Sequence, residues 1–517
     1  MEIKNEVNYV KSTRHSDLSC ECATEYVLPD YNGDVRRILY TSATPRPSGS
    51  FVGEGSVDYS GILVFDMVYL DGEGKLGSVS FTSDYDFSVK CPTGETLGSY
   101  ADVRVSSFQM RLLGPRKISA KATLTATPHT TAACTHEIGG SVTEQKRDAE
   151  ALMRVASIRK TALTDTVERE YAEPVAQLDG AIADEVSVIH STAGAVIENA
   201  NPIGTDLSLD GYFEIDLLIK NADESAYREQ KRIPFNLTLA IPEGYDPELA
   251  APTVAIPSLR TAVNPTEAGS EIVVNLIAEA SAVCDGNTPV SFAADAYLTD
   301  AETENAYSDL SYTELLMRSR TTETLSFDFP RDSEDAAAIR EIVLIEAQPR
   351  VHEIKSEDGH VSVSGDMRIS GVVSTAAEEG ITYAPIRLDS PFTLSLAANL
   401  PTELNGRYEL ILTPHAPRAT LSPDRLSISI PVTAALAVTA DRTLRVLTSC
   451  DAVEGSSVVR DGSTVTVYYP TDTDTLFDVA KRYRTTPERI AVTNTLTSAV
   501  SGVNPSAAIG ARKIVIY

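Results

Sequence analysis

Tryptophan is absent from the sequence, and cysteine is scarce, with six cysteines among 517 residues. The cysteines are widely spread, so we expect no disulfide framework, and a reducing compartment suits the chain better than an oxidising one. No stretch approaches the roughly 18 uncharged apolar residues that a membrane-spanning helix needs. The first residues also lack the apolar segment of a secretory signal peptide. We therefore expect a protein that stays in the cytosol.

Positive charge is in short supply. Lys and Arg number 44 and Asp and Glu number 73, so the formal net charge is 44 − 73 = −29. This balance argues against wrapping nucleic acid or holding anionic membranes, because both tasks need clustered Lys and Arg. Hydrophobic residues make up 42% of the chain, which is enough for packed cores. At roughly 150 residues per domain, the length predicts three or four domains.

Signatures of catalysis are also missing. The sequence holds no H-E-x-x-H motif, no G-x-S-x-G elbow and no G-x-x-x-x-G-K-[ST] phosphate loop. Residues 20–22 (Cys-Glu-Cys) and 134–136 (Cys-Thr-His) could each be half of a metal site, but four zinc ligands at finger-like spacing are absent. We predict no catalytic residues, no metal and no cofactor, and we expect that the chain is not an enzyme.

Repetition is what the sequence does have. Apolar and polar residues alternate around a central glycine in three segments: 55–70 around Gly61, 206–219 around Gly211 and 362–374 around Gly371. Successive glycines are 150 and 160 residues apart. A second strand signal with a phenylalanine follows each one, at Phe87, Phe235 and Phe392. A glycine inside a strand usually marks a bulge or a close approach of another backbone.

Other landmarks recur with the same spacing. A later strand signal begins at Ile118, Ile272 and Leu426. Each unit opens with a strand signal that closes on a proline (Pro29, Pro174, Pro330), followed by a DVRRIL-like stretch at 34–39, 184–188 and 339–344. The tripeptide Leu-Met-Arg occurs at 152–154 and again at 316–318. Agreement at this many landmarks predicts three tandem copies of one domain.

The fold that these patterns predict is mainly β. Alternation with period two dominates inside the units, so each unit is expected to be a β-sandwich or barrel-like domain. A short helix running into a strand is expected at 144–160. The predicted boundaries are 1–148, 149–312 and 313–453 for the three β units, 454–462 for a polar linker and 463–517 for a small C-terminal module.

The C-terminal module has a different pattern. A strand at 464–469 and another at 512–517 flank two helical segments, which gives the order β-α-α-β. In the first segment one face is apolar, formed by Leu476, Val479, Ala480 and Tyr483. Thr473 or Asp474 is expected to cap this helix. The second helix is expected to start at Thr486, with Pro487 in its first turn.

The module resembles the LysM family. The matching residues are Asp474-Thr475-Leu476, then 479–483 (Val-Ala-Lys-Arg-Tyr), then 494–496 (Asn-Thr-Leu), then Ile509-Gly510 before the closing strand. Thr473 stands where the family usually has glycine, and the loop 497–508 is long.

The resemblance implies a groove for N-acetylglucosamine polymers between two loops of the module. Its residues would be Thr473, Asp474, Thr475, Leu476, Ala507, Ala508, Ile509 and Gly510. The alternative is that Leu476 and Ile509 simply belong to the core of the module.

Charge separates the module from the rest of the chain. From Ser463 onward six Lys and Arg face four Asp and Glu, a net charge of +2, so the preceding residues carry −29 − 2 = −31. Such asymmetry suits docking to an acidic partner, although a solvated surface is the more common explanation of it. The predicted rim of the binding surface consists of Lys481, Arg482, Arg484 and Arg489, with Tyr483 in the core.

The three β units resemble the SPOCS domain of spore-coat proteins from spore-forming Firmicutes. The strand closing on a proline, the stretch from Asp34 to Leu39, the central glycine strand and the later phenylalanine strand carry this resemblance. Several SPOCS units followed by one LysM module resemble the SipL-like family of spore-coat morphogenesis proteins. The resemblance implies a non-enzymatic scaffold in the mother-cell cytoplasm, at the forespore surface.

By the same resemblance, the partner of the LysM module is the coat morphogenetic ATPase, stage IV sporulation protein A. Two alternatives stay open. The chain could be a cell-wall protein that binds peptidoglycan or another N-acetylglucosamine polymer. It could also be an enzyme of the wall or cortex, although it lacks a recognisable catalytic signature.

Overall fold

The computed structural model describes residues 6–91, 95–137, 149–332, 337–357, 359–377, 380–397, 406–457, 465–496, 509 and 513–517. The chain is mainly β, as the alternating pattern predicts, with several antiparallel sheets in repeated units and two short helices near the C-terminus. None of the helices in these ranges is long and apolar enough to cross a membrane.

The first unit consists of two sheets. Its strands are β1 (Glu6–Arg14), β2 (Leu18–Val27), β3 (Val35–Val52), β4 (Ser56–Asp71), β5 (Leu76–Lys90), β6 (Glu95–Gly114) and β7 (Lys117–Glu137). Strands β3, β4 and β5 form a three-stranded antiparallel sheet, which we call the meander sheet of the unit. The other sheet is built around β7, which pairs with β1 and β2 along one edge and with β6 along the other. We call it the long-strand sheet.

The second unit repeats this arrangement. Its strands are β8 (Ala149–Leu163), β9 (Val167–Asp179), β10 (Ser187–Ile203), β11 (Asp206–Lys220), β12 (Ala226–Ala240), β13 (Ala250–Pro265) and β14 (Gly269–Leu298), with 3-10 helices at Ala183–Glu185 and Pro247–Leu249. The meander sheet is β10-β11-β12. The long strand β14 pairs with β8 and β9 on one edge and with β13 on the other.

The third unit differs mainly in its first strand. Its strands are β15 (Thr303–Pro330), β16 (Ile339–Glu357), β17 (His360–Ala377), β18 (Gly380–Ala397), β19 (Arg407–Pro414), β20 (Arg418–Leu421) and β21 (Arg425–Ala452). The meander sheet is β16-β17-β18, and the long strand is β21. One continuous strand, β15, takes the place of the two strands that open the other units, while β19 and β20 share the opposite edge.

Each unit is a β-sandwich, because its two sheets bury alternate residues against each other. In the second unit β11 contributes Leu209 and Phe213, and β14 contributes Ile272 and Val274. The first and third units each have a separate core that is also mainly aliphatic and aromatic. The period-two alternation of the sequence is therefore the pattern of a half-buried sheet.

The repeat is visible in the irregularities of the strands. The pairing register shifts between Ile38 and Tyr40 in β3, between Val188 and His190 in β10, and between Ile342 and Leu344 in β16. The steps between these shifts are 190 − 40 = 150 and 344 − 190 = 154 residues. An extra residue of this kind bends a strand and increases its twist. Its recurrence supports three copies of one design.

The equivalent glycine of the third unit is Gly365, so the prediction of Gly371 was wrong. Gly61 and Gly211 lie beside a second register shift, and Gly365 occupies that place in β17. The cross-strand partners of these glycines are Tyr85, Phe235 and Phe392, so Tyr85 replaces the predicted Phe87. Sequence spacing could not decide between Gly365 and Gly371, because only the pairing of β16 with β17 shows which glycine lies beside the second register shift.

The glycines are needed for close approach of a neighbouring strand. A Cβ atom on Gly211 would lie 2.0 Å from the carbonyl oxygen of Val196, and one on Gly365 would lie 2.0 Å from that of Arg350. Neither carbonyl can move without breaking the ladder of its sheet, so only glycine fits.

Several other landmarks do not coincide in the structure. The tripeptide at 152–154 lies at the start of β8, whereas that at 316–318 lies in the middle of β15. Pro330 ends β15, but Pro29 follows β2 and Pro174 lies inside β9. The later strand signals do coincide, because they open the long strands β7, β14 and β21.

Two predicted boundaries can be placed against the strands. The boundary between residues 312 and 313 falls inside β15, which pairs with β21 from Thr303 to Pro330, so the pairing of the third unit begins at Thr303. Of the predicted helix at 144–160, residues from Ala149 onward form β8, and 144–148 lie outside the described residues.

The three meander sheets meet around one centre. Strand β5 contacts β10, β12 contacts β16, and β18 contacts β3, so the third unit returns to the first and closes a ring. A buried cluster lines this centre and takes residues from all three units, among them Leu70, Leu218 and Leu344. The long-strand sheets form a further joint, in which Phe292 of β14 packs with Leu310 of β15.

Candidate functional site

The C-terminal module is the part of the chain for which the sequence predicts a binding surface. Its elements are β22 (Thr466–Tyr468), α1 (Leu476–Tyr483), α2 (Pro487–Thr493) and β23 (Ile514–Ile516). Strands β22 and β23 are antiparallel. The predicted order β-α-α-β is therefore confirmed.

The cap of α1 is Thr475 and not Thr473 or Asp474. The backbone N–H of Asp478 donates to Thr475 Oγ1 at 3.1 Å, and the N–H of Thr475 donates to Asp478 Oδ2 at 3.3 Å. This reciprocal pair is a capping box, which satisfies two N–H groups at the start of a helix. The prediction was wrong because three consecutive residues could all serve as caps, and only the chain geometry selects one.

Two other motif residues hold the module together. Thr486 caps α2 as predicted, since its hydroxyl accepts the N–H of Arg489 at 3.1 Å, and Pro487 occupies the first turn. The side chain of Asn494 donates to the carbonyl of Val515 at 2.7 Å and accepts the N–H of Val515 at 2.7 Å. Asn494 therefore joins the end of α2 to β23.

Asp474 organises the loop between β22 and α1. Its carboxylate accepts the N–H of Thr471 at 2.7 Å and the hydroxyl of Tyr468 at 2.9 Å. These donors, the Thr471 N–H first, lower the pKa of Asp474 below its ordinary value. The carbonyl of Asp474 accepts the N–H of Ile509 at 3.1 Å, which brings the two predicted groove loops together.

The predicted groove residues have unequal exposure. Thr473 is exposed, and Asp474 and Thr475 are partly exposed. Leu476 and Ile509 are buried in the core of the module with Phe477 and Ile490, as the alternative interpretation holds. Ala507, Ala508 and Gly510 lie outside the described residues.

Two of the predicted rim residues face solvent. Arg482 is exposed, donates to the hydroxyl of Tyr468 at 3.0 Å, and holds its guanidinium 5.6 Å from the centre of that ring. Arg489 is exposed on the first turn of α2. These two arginines are available to a partner without breaking an ion pair within the described residues.

The other two rim residues face the end of the second unit. Lys481 Nζ lies 2.5 Å from Asp295 Oδ2 of β14, and Arg484 Nη2 lies 3.1 Å from Glu302 Oε1 in the turn after β14. Their charges are already matched within the chain.

Tyr297 of β14 is the centre of this contact. The side chain is buried, its ring lies edge-on to Phe477 with 5.3 Å between centroids, and its hydroxyl donates to the carbonyl of Thr485 at 2.5 Å. A buried aromatic ring whose hydroxyl group is hydrogen-bonded can hold two surfaces together, here β14 and the module. Sequence reasoning missed Tyr297, because nothing near it in the chain distinguishes it from the other strand tyrosines.

The outer face of the two-stranded sheet is apolar and exposed. Val465, Val467 and Tyr469 are exposed and alternate with other residues along and beside β22, and Tyr517, which follows β23, is also exposed. The alternation of residue types at 464–469 in the sequence could have predicted this exposed apolar face. It lies on the opposite side of the sheet from the core of the module.

The two sequence segments that could each be half of a metal site can be compared with the described part of the structure. No group of three or more His, Cys, Asp or Glu side chains there could hold a metal ion. Cys22 is buried in β2, and burial raises the pKa of its thiol to about 11, which suits a core residue better than a nucleophile. The side chains of Cys134 and His136 lie outside the described set.

Comparisons with known proteins do not assign the chain. No family model matches it, and no curated protein matches it. Among solved structures, it is similar to the Type IV competence pilus secretin PilQ of V. cholerae, with 8% identity and a TM-score of 0.09, over 67% of this chain and 77% of the secretin. A TM-score this low shows no shared fold.

Proposed function

We propose that this chain is a non-enzymatic scaffold of spore-coat assembly in the mother-cell cytoplasm. Its three β units set a fixed spacing, and its C-terminal module tethers the coat basement layer to the forespore surface by binding the coat morphogenetic ATPase. The observation that carries the proposal is the architecture itself. Three copies of one sandwich contact one another in a ring, and one small module of another type is attached with part of its surface free.

The proposal is supported by what the motif residues of the module do. Thr475, Asp474 and Asn494 make hydrogen bonds to the module's own backbone. Leu476 and Ile509 are core residues. Residues that are occupied in this way build a fold and leave few groups to recognise a sugar, so a protein partner fits the surface better than a glycan.

The surface left free is suited to a protein. It offers the two exposed cations Arg482 and Arg489, together with the apolar outer face of β22 and β23. Protein interfaces combine an apolar centre with charged residues at the rim, where charges steer encounter and apolar contacts slow dissociation. The net charge of +2 on the module favours an acidic surface on the partner.

The test is a binding measurement with the full-length chain, because the module is anchored on β14 through Tyr297. The purified chain is presented with the coat ATPase and, separately, with insoluble peptidoglycan. We expect binding to the ATPase, which the double charge reversal R482E/R489E weakens by at least about tenfold, since two rim charges then repel the partner.

The matched control is R111E/R387E, which reverses two exposed arginines on β6 and β18 and changes the net charge equally. It should leave binding unchanged. Binding to peptidoglycan alone would replace the scaffold proposal with the wall-binding alternative. Equal loss in both double variants would show that overall charge, and not the module surface, determines binding.

A further inference from the structure

Three side chains from three different units meet at the centre of the ring. Tyr40 of β3 donates its hydroxyl to Glu346 Oε2 of β16. The Nε2 atom of His190 in β10 lies 3.9 Å from Glu346 Oε1, and the rings of His190 and Tyr40 are 5.7 Å apart between centroids. Every contact in this cluster crosses from one unit to another.

The imidazole of His190 is enclosed, whereas the carboxylate is reachable by solvent. Tyr40 and His190 are buried, and the side chain of Glu346 keeps 36% of its exposed surface. Protons can therefore reach the cluster while the joint is closed. Because the imidazole of His190 is enclosed beside Glu346, its charge depends on that carboxylate.

Each unit also contributes one carboxylate to the surroundings of His190. The charged and titratable groups that face the cluster are Tyr40 on β3, Asp66 on β4, Asp216 on β11, Arg228 on β12 and Glu346 on β16. Arg228 is bound to Asp216 in a close ion pair. With three carboxylates and one arginine, the centre has a net charge of −2 when His190 is neutral and −1 when His190 carries a proton.

The direction of the pKa shifts agrees with this geometry. Burial alone would lower the pKa of His190, but the Glu346 carboxylate outweighs it and raises the pKa above 6.5. Burial alone would raise the pKa of Glu346, but His190 and the Tyr40 hydroxyl outweigh it and lower the pKa below 4.5. Each group therefore stabilises the charged form of the other.

We propose that the proton on His190 locks the three units together, so that its loss as pH rises leaves the three carboxylates in the joint with only Arg228 to offset them and opens the ring.

The sign follows from linkage. A histidine whose pKa is higher in the closed ring stabilises the ring fully below 6.5, and the contribution is lost as pH rises through the raised pKa. The glutamate contribution is present above 4.5 and is lost only as pH falls below that value. The joint is thus strongest between these two values.

The first measurement uses the unaltered full-length chain. The titration of the histidine side chains is followed by nuclear magnetic resonance at pH values from 6 to 9, in steps of about one pH unit. At the same pH values, the hydrogen-exchange protection of β10 and β16 is measured relative to the intrinsic exchange rates. We expect His190 to titrate above 6.5 and protection to fall over the same range, by at most about tenfold per pH unit for a single proton. Titration of His190 at or below 6.5 would overturn the proposal.

Variants then identify the group that titrates. H190Q should show weak protection that no longer changes with pH, because the three carboxylates keep only Arg228 as a cation. The double variant H190Q/E346Q should restore protection and keep it flat. H352Q is the matched control, since His352 and Asp366 form an exposed pair at 2.8 Å. Wild-type pH dependence in H190Q, or its loss in H352Q, would contradict the lock.

Discussion

The interiors of the units and the joints between them are held together by different chemistry. The core of the second unit is built from aliphatic and aromatic residues such as Leu209 and Phe213. Cysteines and tyrosines aside, the buried ionisable side chains lie instead where the described parts of the second and third units meet. They are Arg159, His190, Glu214, Asp216, Asp285 and His415. The joints therefore combine apolar clusters with buried ionisable side chains, whereas the core of the second unit is apolar.

The cores determine how stable each unit is, whereas the buried ion pairs of the joint determine how neighbouring units are arranged. Burying apolar surface stabilises a unit without specifying its neighbour. A buried ion pair contributes little net stability, yet losing one partner is costly, so it penalises every arrangement in which the partners do not meet. Arg159 illustrates this, because its guanidinium bonds Asp285 in its own unit at 2.9 Å and Glu409 of the third unit at 3.1 Å.

The largest effect is expected in the core. Phe213→Ala removes a fully buried ring that packs 4.7 Å from Phe235 between centroids, and it should lower the free energy of unfolding by about 3–5 kcal/mol. Chemical denaturation of the full chain would measure this. Because the change does not touch the joint, Arg159 and Glu409 should stay paired until the second unit unfolds. A loss below about 1 kcal/mol would mean that the core repacks around the gap.

A smaller effect is expected at the joint. Asp285→Asn leaves Arg159 and Arg318 without a carboxylate that both contact, and it should cost about 3 kcal/mol. Burial alone would raise the pKa of Asp285, but the two arginines outweigh it and lower the pKa below 3.8. Wild-type stability should therefore fall as pH drops below 3.8, and the variant should lack this part of the fall.

The control for the joint is an exposed pair of the same chemistry. Asp328→Asn breaks a contact with Arg425 in which both side chains are more than half exposed, so it should change stability by less than about 1 kcal/mol. Equal effects of the two substitutions would mean that burial does not distinguish the joint from the surface.

Among the buried contacts, the smallest effect is expected where the module is docked. Tyr297→Ala removes the anchor against Phe477 and should cost about 2 kcal/mol of docking free energy, seen as faster hydrogen exchange of α1. Tyr297→Phe keeps the ring and loses only the hydrogen bond to Thr485, which is worth about 1 kcal/mol. Global unfolding of the second unit by Tyr297→Ala would show that Tyr297 belongs to the core of that unit instead.

The sequence predicts the interiors much better than the joints. Alternation along strands such as β11 reports burial directly, because neighbours on one face are two residues apart. The helices of the module are likewise visible as a local spacing of apolar residues. Arg159 and Glu409, by contrast, are separated by 250 positions, and Tyr297 and Phe477 by 180. No local pattern records such pairs.

The errors in the module have the same origin. Thr473, Asp474 and Thr475 are all suitable caps in composition, and the choice depends on where the chain turns. Lys481 and Arg484 have the appearance of rim residues in sequence, but their partners Asp295 and Glu302 come from a distant part of the chain. The sequence shows which residues of the module are basic, but only the fold shows which of them are already paired with carboxylates.

Closure of the ring also determines how many units the chain can hold. In an open stack of repeats, each end presents a surface to which a further repeat can be added, and such arrays vary in length. Here β18 of the last unit contacts β3 of the first, so the surface that a fourth unit would need is already covered. A duplication that lengthened this array would have to break the contact between β18 and β3 before a further unit could be placed there.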